Sequence, residues 1–349
     1  MNREPAYLFI YKDIQKEILN GVYVYGMKLP SKRDCAQMYG VSEITVAHAY
    51  ALLEEEGYVV SRQRSGTYVN CHPEDVLNTG HEEEKKIVSD KTDDSESFPY
   101  TVFARASRKV LSDYQEEVLR QSDSQGSLVL RHAIVLYLAR NRDIHVKEDQ
   151  IVIGAGSEYL YSLVVALTGR SVIYGIEDPC FEKIKSIYRS EGVRMDPLKL
   201  GDNGILSEEL KRTPASVLHV TPYHSWPSGK STDADKRREY VEWAEERNAW
   251  IIEDDYESEF TPSLKSEETL FSLSPESVIY MNTFTKTVSP SIRLGYMILP
   301  EKMKERYQET QSFRSCTVSE YVQLIMAELL NDGSFERQIN RIRRKRRQR

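Results

Sequence analysis

The sequence predicts an α/β protein: a mixed or parallel sheet with helices on both faces, preceded by a small helical module with a hairpin. Three observations predict it. Apolar runs recur between residues 151 and 299 with helix-like stretches between them, and they end in polar or glycine-rich residues. The first seventy residues hold three helical patterns and one hairpin pattern. Between the two regions, residues 71–99 are polar and acidic with little apolar content, as a flexible, self-repelling tether is. The expected domains are therefore 1–70, a linker over 71–99, and 100–349.

Composition narrows the function classes. The chain has 349 residues and a formal net charge of −7, enough length for two domains and no overall charge signature of nucleic-acid binding. Cys35, Cys71, Cys180 and Cys316 are far apart and form no metal-spaced pair, which suits a reducing compartment better than a disulfide scaffold. The first residues lack the apolar core of a signal peptide, and no run of about 18 apolar residues exists to span a membrane. A cytoplasmic protein without a metal site is the expectation.

In the first seventy residues, Ile10, Ile14 and Ile18 recur every four positions, a helix with one apolar stripe that stops at Gly21. Ser31 caps a second, short helix that reaches Tyr39, with Asp34 at its capping-box position. Gly40-Val41-Ser42 turns into a third helix that carries Val46, Ala49, Leu52 and Leu53 inward and ends at Gly57. Tyr58–Val60 and Thr67–Val69 are strands joined by a basic tip over 61–66. Such an order makes a winged helix–turn–helix, whose third helix enters the major groove of DNA.

The pattern Leu29-Pro-Ser-x-Arg33, Gly40-Val-Ser-x-x-Thr45-Val, Glu56-Gly-Tyr58 and Ser65-Gly-Thr-Tyr-Val69 resembles the GntR-type DNA-binding domain. The resemblance implies that Arg33, Ser42, Thr45, Arg64 and Gly66 contact a double-stranded DNA operator. Two departures stand out: Glu43 lies where that family commonly has arginine, and Ala47 offers no polar contact one turn on. Residues 1–70 hold eight Lys/Arg against eight Asp/Glu, so nonspecific DNA affinity should be low.

The large region starts with a helical stretch over 98–142. Strands are expected at Ile151–Ile153, Ser171–Tyr174, Val217–Val220, Trp250–Glu253, Val278–Met281 and Leu294–Leu299, with the site at their carboxyl ends. Gly154-Ala-Gly156-Ser157 turns into a helix and so can cradle a phosphate. The stretch Thr283-Phe-Thr-Lys286 to Arg293 supplies hydroxyls, an amine and a guanidinium, the set that a phosphorylated aldehyde cofactor needs. A pyridine ring also needs a carboxylate at its nitrogen. Asp254 and Tyr256, two apart at a strand end, project one way, and Asp255 points away.

Glu177-Asp-Pro-x-Phe181, Thr221-Pro-x-His224-x-x-Pro-Ser-Gly229, Ile251-Ile-Glu-Asp-Asp-Tyr256 and Thr283-Phe-x-Lys286 with Arg293-Leu-Gly-Tyr296 resemble the fold type I aminotransferases. With the winged helix in front, the chain resembles MocR/GabR-type transcriptional regulators. That resemblance implies pyridoxal 5'-phosphate held as an internal aldimine on Lys286, with Asp254 at the ring nitrogen, Tyr256 at the phenolic oxygen and Phe181 over the ring. It assigns Gly156, Ser157, Thr283 and Arg293 to the phosphate and places His224 near the cofactor. Phe181 replaces the usual tyrosine. The resemblance further implies a homodimer, a small amine or amino-acid effector, and a largely missing C-terminal subdomain beyond the basic stretch Arg341–Arg349. The alternative is an aminotransferase that retains a DNA-binding domain.

Overall fold

Alternation of side chains along a short strand decides which residues enter which core, and two cores result. The computed structural model describes residues 5–62, 65–72, 98–255, 258–260 and 268–347. It divides into two compact units between Lys91 and Thr92. Arg64, Tyr256 and most of the expected linker lie outside the described residues.

In the first unit, helix α1 (Ala6–Leu19) buries Ile10, Ile14 and Ile18, the expected stripe. Helix α2 (Lys32–Tyr39) is capped by Ser31, whose side chain accepts from the Asp34 N–H, and it stops at Gly40 in the left-handed region, φ 65°. Helix α3 (Glu43–Glu55) starts on the Ser42 cap and buries Val46, Ala49, Tyr50 and Leu53. Tyr50, rather than the expected Leu52, is buried because positions 46, 49, 50 and 53 share one helical face, and its hydroxyl donates to the Pro30 carbonyl at 2.8 Å. Strands β1 (Val59–Arg62) and β2 (Gly66–Val69) pair antiparallel as the wing. Its root is held by Glu54, which accepts from the Ser61 N–H at 2.7 Å and the Ser61 hydroxyl at 2.9 Å.

The second unit opens with α4 (Tyr100–Tyr114) and α5 (Leu128–Arg142). The expected continuous helical region is thus broken, by a short 3-10 turn at Gln115–Leu119 and a loop. There follow β3 (Ile151–Gly154), α6 (Ser157–Thr168), β4 (Ile173–Asp178), α7 (Glu182–Ser190), β5 (Arg194–Lys199) and α8 (Ser207–Arg212). After β6 (Val217–Val220) come α9 (Ala234–Arg247), β7 (Trp250–Asp254), α10 (Leu270–Leu273), β8 (Val278–Thr283) and β9 (Gly295–Ile298). Helices α11 (Glu301–Thr310), α12 (Glu320–Asn331) and α13 (Ser334–Arg347) close the unit.

The seven strands form one mixed sheet in the order β3-β9-β8-β7-β6-β4-β5. Strands β4 to β8 run parallel, and β9 is antiparallel to both of its neighbours, β8 and β3. Alternate strand residues feed opposite cores. Ile151, Ile153, Leu218, Val220, Ile251, Val278 and Tyr280 join α4, α5, α9, α12 and α13 in one core. Val152, Val217, Ile252, Ile279, Met281 and Met297 join α6, α7 and α11 in the other. No helix among the described residues is long and apolar enough to cross a membrane.

Candidate functional site

The topology brings the predicted residues of the large unit that are described to one end of the sheet. Because β4, β6, β7 and β8 are parallel and β3 shares their direction, their carboxyl ends lie together, while the antiparallel β9 begins there. Gly156 and Ser157 follow β3, Phe181 follows β4, and His224 follows β6. Asp254 ends β7, Thr283 ends β8, Lys286 lies three residues beyond, and Arg293 precedes β9. In open α/β sheets this end is where ligands bind.

The turn after β3 is built for close approach. Gly156 is the N-cap of α6 with φ 79°. A Cβ there would lie 3.5 Å from Arg293 Cζ and Nη2, so the guanidinium rests against the turn. Arg293 itself is in the left-handed region, φ 46°. Its Nη2 lies 3.3 Å from Glu158 Oε2, and Lys183 reaches the other oxygen of Glu158 at 2.7 Å. The Lys183 hydrogen bond, with help from the Arg293 charge, holds the Glu158 carboxyl below its usual range. The helix N-terminus, its backbone N–H groups and Arg293 together make an anion-favouring corner. Thr283 pairs with Gly295 in the β8–β9 ladder, and its Cγ2 would sit 3.2 Å from a Cβ on Gly295.

Asp254 is 7 % exposed and has partners that sequence reasoning missed. By alternation it faces the α6–α7 side of the sheet. There the Tyr161 hydroxyl donates to its Oδ2, and His219 Nε2 lies 3.5 Å from the same oxygen. His219 Nδ1 in turn lies 2.7 Å from the Tyr188 hydroxyl. Burial, then the Asp254 charge, pushes the Tyr161 hydroxyl well above its ordinary pKa, so it remains a donor. The one available signal was His219, a polar residue in the fully buried strand β6.

Asp255 points to the opposite side, as its position in the alternation requires. Arg142 donates to its Oδ2 at 2.6 Å, and the Tyr280 hydroxyl donates to the same oxygen. Glu253, also on that side and fully buried, accepts the backbone N–H groups of Leu270 and Phe271 at 3.0 and 2.9 Å. Burial, reinforced by the Asp255 charge, raises its carboxyl to about 7.

Glu177, at the end of β4, is a second residue that sequence reasoning did not single out for a role. It accepts the Thr221 N–H at 3.2 Å and the Ser225 hydroxyl at 2.6 Å, tying down the loop that carries His224. Burial raises it to about 7. His224 is exposed with φ 50°, and its Nδ1 lies 3.4 Å from the Ser231 hydroxyl. Phe181 is 45 % exposed and Lys286 is exposed on the turn after β8. The described residues contain no group of three or more His, Cys, Asp or Glu able to hold a metal ion.

In the first unit, Arg33 and Ser42 are exposed and Thr45 is half-buried. Ser42 accepts from the Thr45 N–H at 3.2 Å, and the two hydroxyls lie 2.9 Å apart. Gly66, φ 124°, lies under Lys28, whose Cε would be 2.5 Å from a Cβ there. On the wing, Arg62 lies 4.9 Å from the Tyr68 ring centroid.

A winged helix and a mixed sheet with its polar residues at one end define a regulator-like module joined to an aminotransferase-type domain, and the comparisons agree. Residues 6–69 match the gntR family of bacterial regulatory proteins, and residues 88–349 match aminotransferase class I and II. The chain is 32 % identical to the HTH-type transcriptional regulator YdeL of Bacillus subtilis, over 97 % of this chain and 76 % of that protein. It is 29 % identical to the pyridoxine biosynthesis transcriptional regulator PdxR of Corynebacterium glutamicum, over 95 % of this chain and 74 % of PdxR. It is 26 % identical to the probable rhizopine catabolism regulatory protein MocR of Rhizobium meliloti, over 97 % and 74 %. Among solved structures it is similar to the α-aminoadipate aminotransferase LysN of Thermus thermophilus (TM-score 0.63, 26 % identity, 71 % of this chain and 64 % of that chain). The kynurenine aminotransferase of Pyrococcus horikoshii gives TM-score 0.64 at 23 % identity, over 71 % and 64 %. The chain thus spans just under two thirds of those enzymes and about three quarters of the regulators. It belongs to the MocR-type regulators, in which a gntR-family helix–turn–helix precedes an aminotransferase class I/II domain.

Proposed function

We propose that the chain is a DNA-binding transcriptional regulator whose large domain holds pyridoxal 5'-phosphate on Lys286 and responds to a small amine or amino acid. The observation that carries this reading is the buried Asp254 carboxylate at the end of the sheet where the Gly156 turn, Arg293 and the Lys286 segment also converge. The residues fit the cofactor. Arg293, the α6 N-terminus, Ser157 and Thr283 would hold its phosphate. Asp254, held by the Tyr161 hydroxyl, would take the ring nitrogen and keep a proton there. Phe181 would cover the ring and His224 would line the site; Tyr256, outside the described residues, would by the family resemblance meet the phenolic oxygen. When bound, the cofactor supplies an aldehyde that condenses with amines and a ring that accepts electrons.

The chain's own residues supply the response. Lys286 would hold the cofactor from the turn after β8, and an amine competing for the same aldehyde would change what that turn engages. Differential affinity of the amine for two domain arrangements would then change operator binding, since a ligand shifts an equilibrium only by that difference. A homodimer would present two winged helices to paired half-sites.

The test is a spectral titration of the purified protein with pyridoxal phosphate beside Lys286→Ala, followed by operator binding with and without amines. A visible band that the variant lacks, shifted by an amine that also changes DNA affinity, is the expected result. Absence of the band from both proteins would overturn the cofactor assignment. Steady keto-acid formation from an amino acid would instead favour an aminotransferase that retained its DNA-binding domain.

A further inference from the structure

The first turn of α3 carries two side chains that the fold does not use. Glu43 is exposed directly after the Ser42 cap, and Ile44 beside it is 72 % exposed. Helix α3 docks through Val46, Ala49, Tyr50 and Leu53, which leaves residues 43 and 44 on the outside. Several acids in this unit hold the fold together. Asp34 accepts the Ser31 hydroxyl at 2.6 Å, and Glu54 holds Ser61. Glu43, among the described residues, makes no hydrogen bond or ion pair. A carboxylate in a first helical turn is favoured by the helix dipole. That accounts for Glu43 alone and gives no reason for an exposed isoleucine next to it.

In a helix–turn–helix the N-terminal residues of the second helix of the motif meet base edges in the major groove. A carboxylate there is repelled by phosphates and by the two acceptors of guanine, but it accepts from the N4 amine of cytosine. An apolar side chain there fits the methyl group of thymine. We propose that Glu43 and Ile44 are specificity-determining residues, Glu43 accepting from a cytosine N4 and Ile44 packing on the methyl of a neighbouring thymine. This rests on the reading of the first unit as a DNA-binding domain. The balance of eight basic and eight acidic residues over 1–70 fits it. With little nonspecific attraction, discrimination has to come from base edges rather than from phosphates.

The experiment is selection from a randomised duplex library with the full chain and with Glu43→Ala, Glu43→Gln and Ile44→Ala. Thermal melts check that the variants fold, as exposed positions should allow. The wild type is expected to recover a motif with one cytosine whose replacement weakens binding about tenfold or more. Glu43→Ala should lose preference at that position only, and Glu43→Gln should move it to adenine, whose N6 and N7 suit an amide. Ile44→Ala should relax a thymine close by. A wild-type motif that keeps every preference in all three variants overturns the base-reading assignment while leaving DNA binding intact. If the wild type enriches no motif at all, the DNA-binding reading itself fails.

Discussion

Raising the pH from about 5 to about 7.5 should destabilise the large domain, against the usual expectation for an acidic protein. Glu177 and Glu253 are each moved from 4.5 to about 7, in both cases chiefly by burial. Glu259, whose carboxylate accepts from Asn282 at 2.7 Å, is raised by the same cause. A carboxyl whose folded pKa lies above its unfolded one binds more protons in the native state throughout the window between the two. Its contribution is therefore fully present below about pH 4.5 and lost as the pH rises through about 7. For Glu177 and Glu253 the move from 4.5 to about 7 corresponds to about 3 kcal/mol apiece. In a domain of this size that is roughly 5–10 °C in Tm per group. Carboxyls held below their usual range, such as Glu158 and Glu239, add an opposing slope, but only on acidification below about 4.5. The two windows separate. The assay is a series of thermal melts across this range for the wild type, Glu177→Gln and Glu253→Gln. Glutamine mimics the protonated acid, so each variant should flatten the slope by one group's share. A wild-type midpoint that is level or rises from about pH 5 to 7.5, or a slope unchanged in both variants, would refute the reasoning.

Three further outcomes are expected. Lys286→Ala should remove the visible band formed with pyridoxal phosphate, with a cooperative melt of the variant showing that it still folds; Lys286 lies exposed on the turn after β8. Tyr161→Phe removes the hydroxyl that donates to Asp254. It should cost about 1–2 kcal/mol in a melt and weaken cofactor binding several-fold in a titration. Gly66→Ala puts a side chain at φ 124°, a conformation that favours glycine, while the Lys28 chain end beside it can swing aside. It should lower the stability of the N-terminal unit by about 1–3 kcal/mol in chemical denaturation and weaken operator binding through the displaced wing.

How much of this was legible in the sequence depends on how local each cause is. The caps at Ser31 and Ser42, the α1 stripe and the divergence of Asp254 from Asp255 follow from period and spacing, and the structure has all of them. Strand β5 was not legible, because Arg194–Lys199 is an edge strand containing Asp196 and Pro197, with only Leu198 buried. Strand β4 was placed too early, since Glu177 and Asp178 read as loop residues although they continue the ladder beside Leu198 and Lys199. The partners of Asp254 were hidden for a different reason. Tyr161 and His219, with Tyr188 behind the imidazole, come from α6, β6 and α7, and no local pattern connects four residues spread over 93 positions. What the sequence did contain was an anomaly: His219 in a strand otherwise made of buried apolar residues. A buried imidazole needs a partner: the tyrosine of α7 lies 2.7 Å from its Nδ1, while its Nε2 lies 3.5 Å from the carboxylate ending β7 without a hydrogen bond. The same logic applies to Glu177. A carboxyl at a strand end is unremarkable until the Thr221 N–H and the Ser225 hydroxyl are seen to converge on it. The loop bearing His224 is then positioned by an acid more than forty residues upstream, so an exchange at Glu177 should disturb the site without touching any ligand.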